Sequence, residues 1–136
     1  MRFLDANVFI RYLTGDDPIK QGASRLLFER LDRDEEQLLT SEAVVAEIIY
    51  VLTSGAHYGL TREAAAQRLL PALRSPGLRI ANKTVVLRAL DVYEAHRRLD
   101  YEDALSVAHM ESAGIDEIVS YDRGFDRVEG ISRAEP

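Results

Sequence analysis

The chain has 136 residues, of which 46% are hydrophobic and 29% charged, a balance typical of one folded domain with a buried core. It contains no cysteine, which excludes disulfides and thiolate metal sites and is compatible with a cytoplasmic location. No apolar run approaches the ~20 residues of a membrane span, and the first residues lack the pattern of a signal peptide. The net charge of −6 argues against a simple nucleic-acid coat protein, but it leaves open an enzyme that holds phosphates through metal ions.

Short predicted strands alternate with predicted helices along the chain. Strands are expected at 2–4, 37–40, 78–80 and 117–120, followed by an edge strand within 128–133. N-cap residues mark the starts of five helices: Asn7, Asp17, Ser41, Thr61 and Asp100. A sixth helix is expected from 82–84 to about residue 99, as a rough boundary. The alternation predicts an α/β fold with a mainly parallel sheet.

Apolar spacing identifies the helix faces that are expected to meet the core. The helix after Asp17 carries a stripe at helical spacing, made of Ile19, Ala23, Leu26, Leu27 and Leu31. The helix after Ser41 is apolar almost all round, with Glu47 as its only charge within 43–52. We therefore expect Glu47 to be buried and to need a partner, although a narrow exposed stripe or a salt bridge would also explain it.

Acidic residues recur where a parallel sheet places its ligands. Asp5 and Asp122 each follow a predicted strand, Asp103 opens a helix, and Glu47 lies in the second turn of another. These places fall at the carboxyl edge of a parallel sheet, where α/β proteins bind ligands. Asp5, Asp103 and Asp122 also have an ordinary interpretation as helix cap or turn residues. Four carboxylates crowded at one edge would raise each other's pKa, and a hard cation such as Mg²⁺ would remove the repulsion.

Other chemistries find little support in the sequence. There is no Walker A loop, no G-x-G-x-x-G and no serine in a nucleophile elbow. The three histidines lack metal-ligand spacing and are interpreted as ordinary polar positions: His57, His96 and His109.

Four segments of the chain resemble the blocks of PIN domains, and most of all those of VapC-type toxins from prokaryotic toxin–antitoxin pairs. They read F-L-D-A-N-V-F-I-R-Y-L, S-E-A-V-V-A-E-I-I-Y-V-L, D-Y-E-D-A-L and I-V-S-Y-D-R-G-F-D. The resemblance covers essentially the whole chain. It implies one PIN-like domain over 1–136, with three layers and a mainly parallel central sheet flanked by helices.

The resemblance also implies a set of site residues. The catalytic acids would be Asp5, Glu47, Asp103 and Asp122. Asp5, Asp103 and Asp122 would hold the metal, and Glu47 would bind it or orient the attacking water. Supporting and secondary positions are two polar side chains and two further acids: Asn7, Ser120, Asp126 and Asp100. Many relatives have threonine where Ser120 stands, and Asp126 matches a variable acid.

The activity implied by the resemblance is Mg²⁺- or Mn²⁺-dependent hydrolysis of RNA phosphodiester bonds, leaving a 3′-hydroxyl and a 5′-phosphate. The implied partners are RNA, a cognate antitoxin and a second copy of the chain. Apolar residues after the second strand, such as Leu60, Leu69 and Leu70, are expected to be incompletely covered and to favour a homodimer. Basic residues that could grip RNA are Arg11, Arg88, Arg97 and Arg98, although a solvated helix face explains them better.

Three other functions remain open from the sequence. The chain could be a PIN nuclease of RNA processing without an antitoxin, which a neighbouring antitoxin gene would argue against. It could be a phosphoacceptor of the response-regulator kind, but that class usually needs a partnering lysine, and Lys83 begins a helix instead. It could be a non-catalytic acidic binding module, which the full set of acids argues against.

Overall fold

The computed structural model describes residues 1–136 and divides the chain into two units, Met1–Lys83 and Thr84–Pro136. Each unit carries its own parallel β-sheet together with helices. The α/β class expected from the sequence is therefore confirmed, and the strands fall into two sheets.

The first unit is built on three short parallel strands. They are β1 (Arg2–Phe3), β2 (Leu38–Thr40) and β3 (Leu78–Ile80), in that order across the sheet. Arg2 pairs with Leu38, which in turn pairs with Leu78. In β2 and β3 buried and exposed residues alternate, so that one face of these strands packs inward while Leu39 and Arg79 point outward.

Four helices complete the first unit. They are α1 (Ala6–Leu13), α2 (Pro18–Asp32), α3 (Glu42–Thr53) and α4 (Arg62–Leu73). Three begin at side chains that accept a hydrogen bond from a backbone N–H three residues on, as the sequence predicts: Asp17, Ser41 and Thr61. The core includes Phe28, whose ring lies 5.2 Å from that of Phe9 and stacks at 4.2 Å on Tyr12.

Gly77 lies directly before β3, at a point where two stretches of backbone nearly touch. A Cβ atom built on this glycine would overlap the carbonyl oxygen of Glu36 and would lie 3.0 Å from that of Leu31. Its amide also donates to the Leu31 carbonyl at 2.9 Å, and its own carbonyl accepts from Leu38 at 3.0 Å. Only a residue without a side chain fits here.

Several expectations about packing in this unit are wrong. On α2 the buried side chains are Ser24, Phe28 and Leu31, while Ile19, Ala23 and Leu26 are exposed. The helix has two candidate apolar stripes, and the aromatic ring of Phe28 decides between them by stacking on α1. Of the three leucines expected to be incompletely covered, Leu69 is fully buried, whereas Leu60 and Leu70 are half-buried as expected.

The second unit contains α6 (Tyr101–Ala113), β4 (Glu117–Val119) and β5 (Ser132–Ala134), and α5 (Lys83–Ala95) leads into it. A 3₁₀ helix, Arg123–Arg127, lies between the two strands, which pair in parallel. Helix α5 ends four residues before the predicted boundary, because 97–99 form a turn before the cap of α6. Helix α6 ends at Gly114, whose φ of 69° is the left-handed C-cap conformation.

None of the helices is long and apolar enough to cross a membrane.

Candidate functional site

Asp5 stands between β1 and α1 and occupies the N-cap position of the helix. Its backbone is extended, with φ of −89° and ψ of 160°, but its side chain makes no capping hydrogen bond. Asn7, which the sequence predicts as the cap, instead lies inside the first turn and is exposed. The exposed carboxylate of Asp5 is therefore not used to hold the helix, which weakens the interpretation of this residue as a simple cap.

Glu47 lies on the solvent side of α3, so the expectation that it is buried is wrong. The helix buries Val44, Val45, Ile48, Ile49 and Leu52, and it leaves a narrow stripe outside that contains Glu47 and Tyr50. Tyr50 is 68% exposed. A charge on this stripe needs no buried partner, and its carboxylate is accessible to a ligand.

Asp100 and Asp103 lie at the start of α6. Asp100 is the N-cap, and its Oδ1 accepts a hydrogen bond from the backbone N–H of Asp103 at 2.8 Å. Partial burial, together with the negative charges of Asp100 and Asp122, raises the pKa of Asp103 to about 6. Asp103 is thus a carboxylate whose ionised form is disfavoured by its surroundings.

Asp122 is held in a tight turn after β4. Its own amide donates to Ser120 Oγ at 2.9 Å, and its Oδ1 accepts from the amide of Gly124 at 2.8 Å. This turn explains the positions of Ser120 and Asp122 in structural terms. It also fixes the direction of the carboxylate and leaves Oδ2 available to a ligand.

Asp126 belongs to a different interaction. The guanidinium of Arg133 donates to it at 2.7 Å and holds the pKa of the Asp126 carboxyl below its usual value. Arg133 also donates to the carbonyl of Ser120 at 2.9 Å, so this pair ties the 3₁₀ helix to the end of β4. Asp126 therefore supports the turn that carries Asp122.

Two of the arginines named from the sequence already have carboxylate partners. Arg11 lies 3.2 Å from Asp16 Oδ1, and Arg88 makes two hydrogen bonds to Glu111, the shorter at 2.8 Å. Arg97 and Arg98 line an open cleft of about 490 Å³ with Gly124 and Arg127. Arg127 is not predicted from the sequence, because 29 positions separate it from Arg98 and no local pattern links the two.

The predicted acids are divided between the two units. The charges of Asp100, Asp103 and Asp122 act on one another in Thr84–Pro136, whereas Asp5 and Glu47 belong to Met1–Lys83. Within neither unit do three acidic or imidazole side chains come close enough to hold a metal ion together. The donors are nevertheless carboxylate oxygens, which hard cations such as Mg²⁺ prefer. Burial is the main cause of the raised pKa of Asp103, and the charges of Asp100 and Asp122 add to it, so a nearby cation would favour the ionised carboxylate.

The chain is similar to known proteins over nearly its whole length. The PIN domain family model matches residues 2–131. A VapC ribonuclease of Aquifex aeolicus is 27% identical over 136 residues, covering 100% of this chain and 97% of the relative. Ribonuclease VapC13 of Mycobacterium tuberculosis is 30% identical over 135 residues, covering 98% of each. Among solved structures, M. tuberculosis VapC20, a toxin described as cleaving the sarcin–ricin loop, matches with 20% identity and a TM-score of 0.41 over both full chains.

Proposed function

Because this chain belongs to the PIN-domain family, we propose that it is a metal-dependent endoribonuclease that hydrolyses RNA phosphodiester bonds, and that it acts as the toxin of a type II toxin–antitoxin pair. The names of its full-length relatives, VapC ribonucleases, support the activity. The structural observation that supports it best is the acidic group of Asp100, Asp103 and Asp122, where the pKa of Asp103 is raised to about 6. Burial is the larger cause of this raised pKa, and the neighbouring negative charges that add to it would favour a bound cation.

Mg²⁺ or Mn²⁺ is the proposed ion, with Asp5, Asp103 and Asp122 as its ligands. The chemistry that such an ion supplies is polarisation of the scissile phosphate and a lower pKa for a bound water. Glu47, with its exposed carboxylate, serves either as a further ligand or as the group that orients the attacking water.

The surrounding residues of the chain have positioning roles in this proposal. Ser120 Oγ accepts a hydrogen bond from the backbone amide of Asp122, and the amide of Gly124 donates to the Asp122 carboxylate. Asp100 fixes the first turn of α6 and with it the backbone of Asp103. Asn7 lies two residues after Asp5, exposed on the first turn of α1, where its amide can hydrogen-bond to water or RNA.

Replacing Asp5 by asparagine tests the proposal. Asparagine keeps the shape but removes one anionic ligand, so cleavage of a labelled RNA in Mg²⁺ should fall sharply. Because Asp5 makes no capping hydrogen bond, the melting temperature in chelator should stay level or rise. The matched control is Asp116→Asn, which changes another exposed aspartate of the chain and should leave both readouts unchanged.

The opposite pattern would remove the metal-site interpretation. A structural Asp5 would cost about 1 kcal/mol of folding stability when changed and would leave activity largely intact. An Asp5→Asn protein that melts clearly lower in chelator, yet cuts RNA at near the parent rate, would therefore contradict the proposal.

The proposed partners are a cognate antitoxin and a second copy of the chain. The antitoxin should restore growth when co-expressed and should co-purify with the chain, whereas an RNA-processing nuclease would have no such partner. Of the leucines expected to favour dimerisation, Leu69 is buried within the chain and Leu60 and Leu70 are half-buried, so the dimer proposal is supported mainly by the family. A specific dimer should form at protein concentrations of tens of micromolar, taken as an order of magnitude. Light scattering that gives a monomer at such a concentration would contradict the dimer proposal.

A further inference from the structure

The cleft lined by His96, Arg97, Arg98, Gly124 and Arg127 is a basic concave surface of the second unit. Its volume is about 490 Å³, and no acidic side chain lines it. Other arginines of this unit are used in ion pairs, Arg88 with Glu111 and Arg133 with Asp126. Arg98 and Arg127 form no ion pair and are exposed, so their guanidinium groups are available to an anion.

The cleft adjoins the acidic group through one residue. Gly124 lines the cleft, and its amide donates to Asp122 Oδ1 at 2.8 Å. A Cβ atom built on Gly124 would lie 3.0 Å from that same oxygen and 3.1 Å from the carbonyl oxygen of Arg98. The wall of the cleft and the Asp122 carboxylate therefore meet at a glycine, which has no side chain of its own to separate them.

We propose that this cleft holds a phosphate of the RNA backbone, so that the strand is gripped next to the acids that cut it. The inference rests on the proposed function, because it assigns the cleft to the same RNA. Guanidinium groups present paired donors that match phosphate oxygens. The chain carries a net charge of −6, which repels RNA overall, so a local cationic surface beside the acids is what brings the strand to them.

Binding of a short labelled single-stranded RNA in EDTA tests the cleft without cleavage. The test variant is the double change Arg98→Ala with Arg127→Ala, and the control is Arg33→Ala with Arg74→Ala. The control pair is exposed, forms no ion pair, lies in the other unit and removes the same charge. We expect the test variant to weaken binding by about tenfold, because hydrogen bonds between charged groups are removed. The plot of log affinity against log salt concentration should also become less steep, by about 0.7 for each phosphate that the variant no longer binds.

A lysine variant separates charge from geometry. Arg98→Lys with Arg127→Lys keeps both positive charges but loses the paired donors. It should therefore keep the salt slope of the parent while binding RNA more weakly, which a purely structural role for the two arginines would not produce. Thermal melts of all variants should match the parent, since both side chains lie on the surface.

Cleavage kinetics in Mg²⁺ distinguish failure of this inference from failure of the proposed function. In the alanine variant KM should rise with little change in kcat, because the cleft binds substrate and transition state equally. A parent protein that binds RNA through these arginines but never cuts it would contradict the proposed function and support the proposal that the cleft binds RNA. A parent that cuts RNA, with an alanine variant that binds and cuts RNA like the control, would contradict the proposal for the cleft. An alanine variant that loses only its affinity for the antitoxin would overturn it too, by making the cleft a protein-docking site.

Discussion

Asp103 is the side chain whose acid–base chemistry departs most clearly from that of a free residue. Burial is the larger cause of its raised pKa, and the charges of Asp100 and Asp122 add to it. The consequence is thermodynamic as well as chemical, because a group with different pKa values in the folded and unfolded states makes stability depend on pH.

The raised pKa of Asp103 predicts that the metal-free protein becomes less stable as pH rises from about 5 to about 7. A carboxyl with a folded pKa of about 6 and an ordinary unfolded pKa favours folding below the unfolded value. That contribution is lost as pH rises through the folded value. Asp126 and Glu36, whose pKa values are lowered, act in the opposite sense and only at lower pH.

Urea unfolding in EDTA at about pH 5, 6 and 7 measures this dependence, and Asp103→Asn should flatten it, because asparagine does not titrate in this range. Asp116→Asn is a useful control, since it changes an exposed acid elsewhere in the same unit. Equal pH dependence in the parent and in Asp103→Asn would assign the effect to another group.

At the scale of helices, α1 differs from most of its neighbours in how it begins. Asp17, Ser41, Thr61 and Asp100 all accept a capping hydrogen bond from the helix that follows, whereas Asp5 does not. The start of α1 is therefore stabilised less by its cap, and the carboxylate is left for another use.

This difference predicts unequal costs for two matched substitutions. Ser41→Ala removes a cap bond to the amide of Val44 and should lower the free energy of unfolding by about 1 kcal/mol. Asp5→Ala removes none and should cost clearly less. Urea unfolding in EDTA compares the two directly. If Asp5→Ala were as costly as Ser41→Ala, Asp5 would have a structural role that the geometry does not reveal.

Helix caps were predictable because they depend on a few adjacent residues. Ser41, Thr61 and Asp100 were found from the sequence for this reason, and the same local logic failed only at Asn7, where Asp5 two positions earlier takes the cap. The exposed position of Glu47 was not predictable. On a helix that is apolar almost all round, the sequence cannot say which narrow stripe faces water, since that depends on what packs against the other sides.

At the scale of the whole chain, strand partners are set by residues far apart in sequence. The alternation of strands and helices predicted parallel pairing, and β1 with β2 and β2 with β3 confirm it. The separate pairing of β4 with β5 was not predicted. These two strands are only three residues long, and Val119 is 65% exposed, so they carry little periodic signal. The cleft lined by Arg98 and Arg127 is not predictable from the sequence either, because its residues come from two segments far apart in the chain, the end of α5 with the turn after it and the 3₁₀ helix.

The close approach of backbone at Gly77 has a genetic consequence if the chain is a toxin. Every single-base change that replaces this glycine adds a side chain where backbone already stands, so the protein should fail to fold while its acids remain intact. Among colonies that survive induction without antitoxin, substitutions at Gly77 should therefore recur beside those at Asp5. The two kinds of survivor should differ in protein abundance, since misfolded Gly77 variants would be degraded and Asp5 variants would accumulate. Sequencing and immunoblotting of survivors would check this, and abundant Gly77 variants that still stop growth would contradict it.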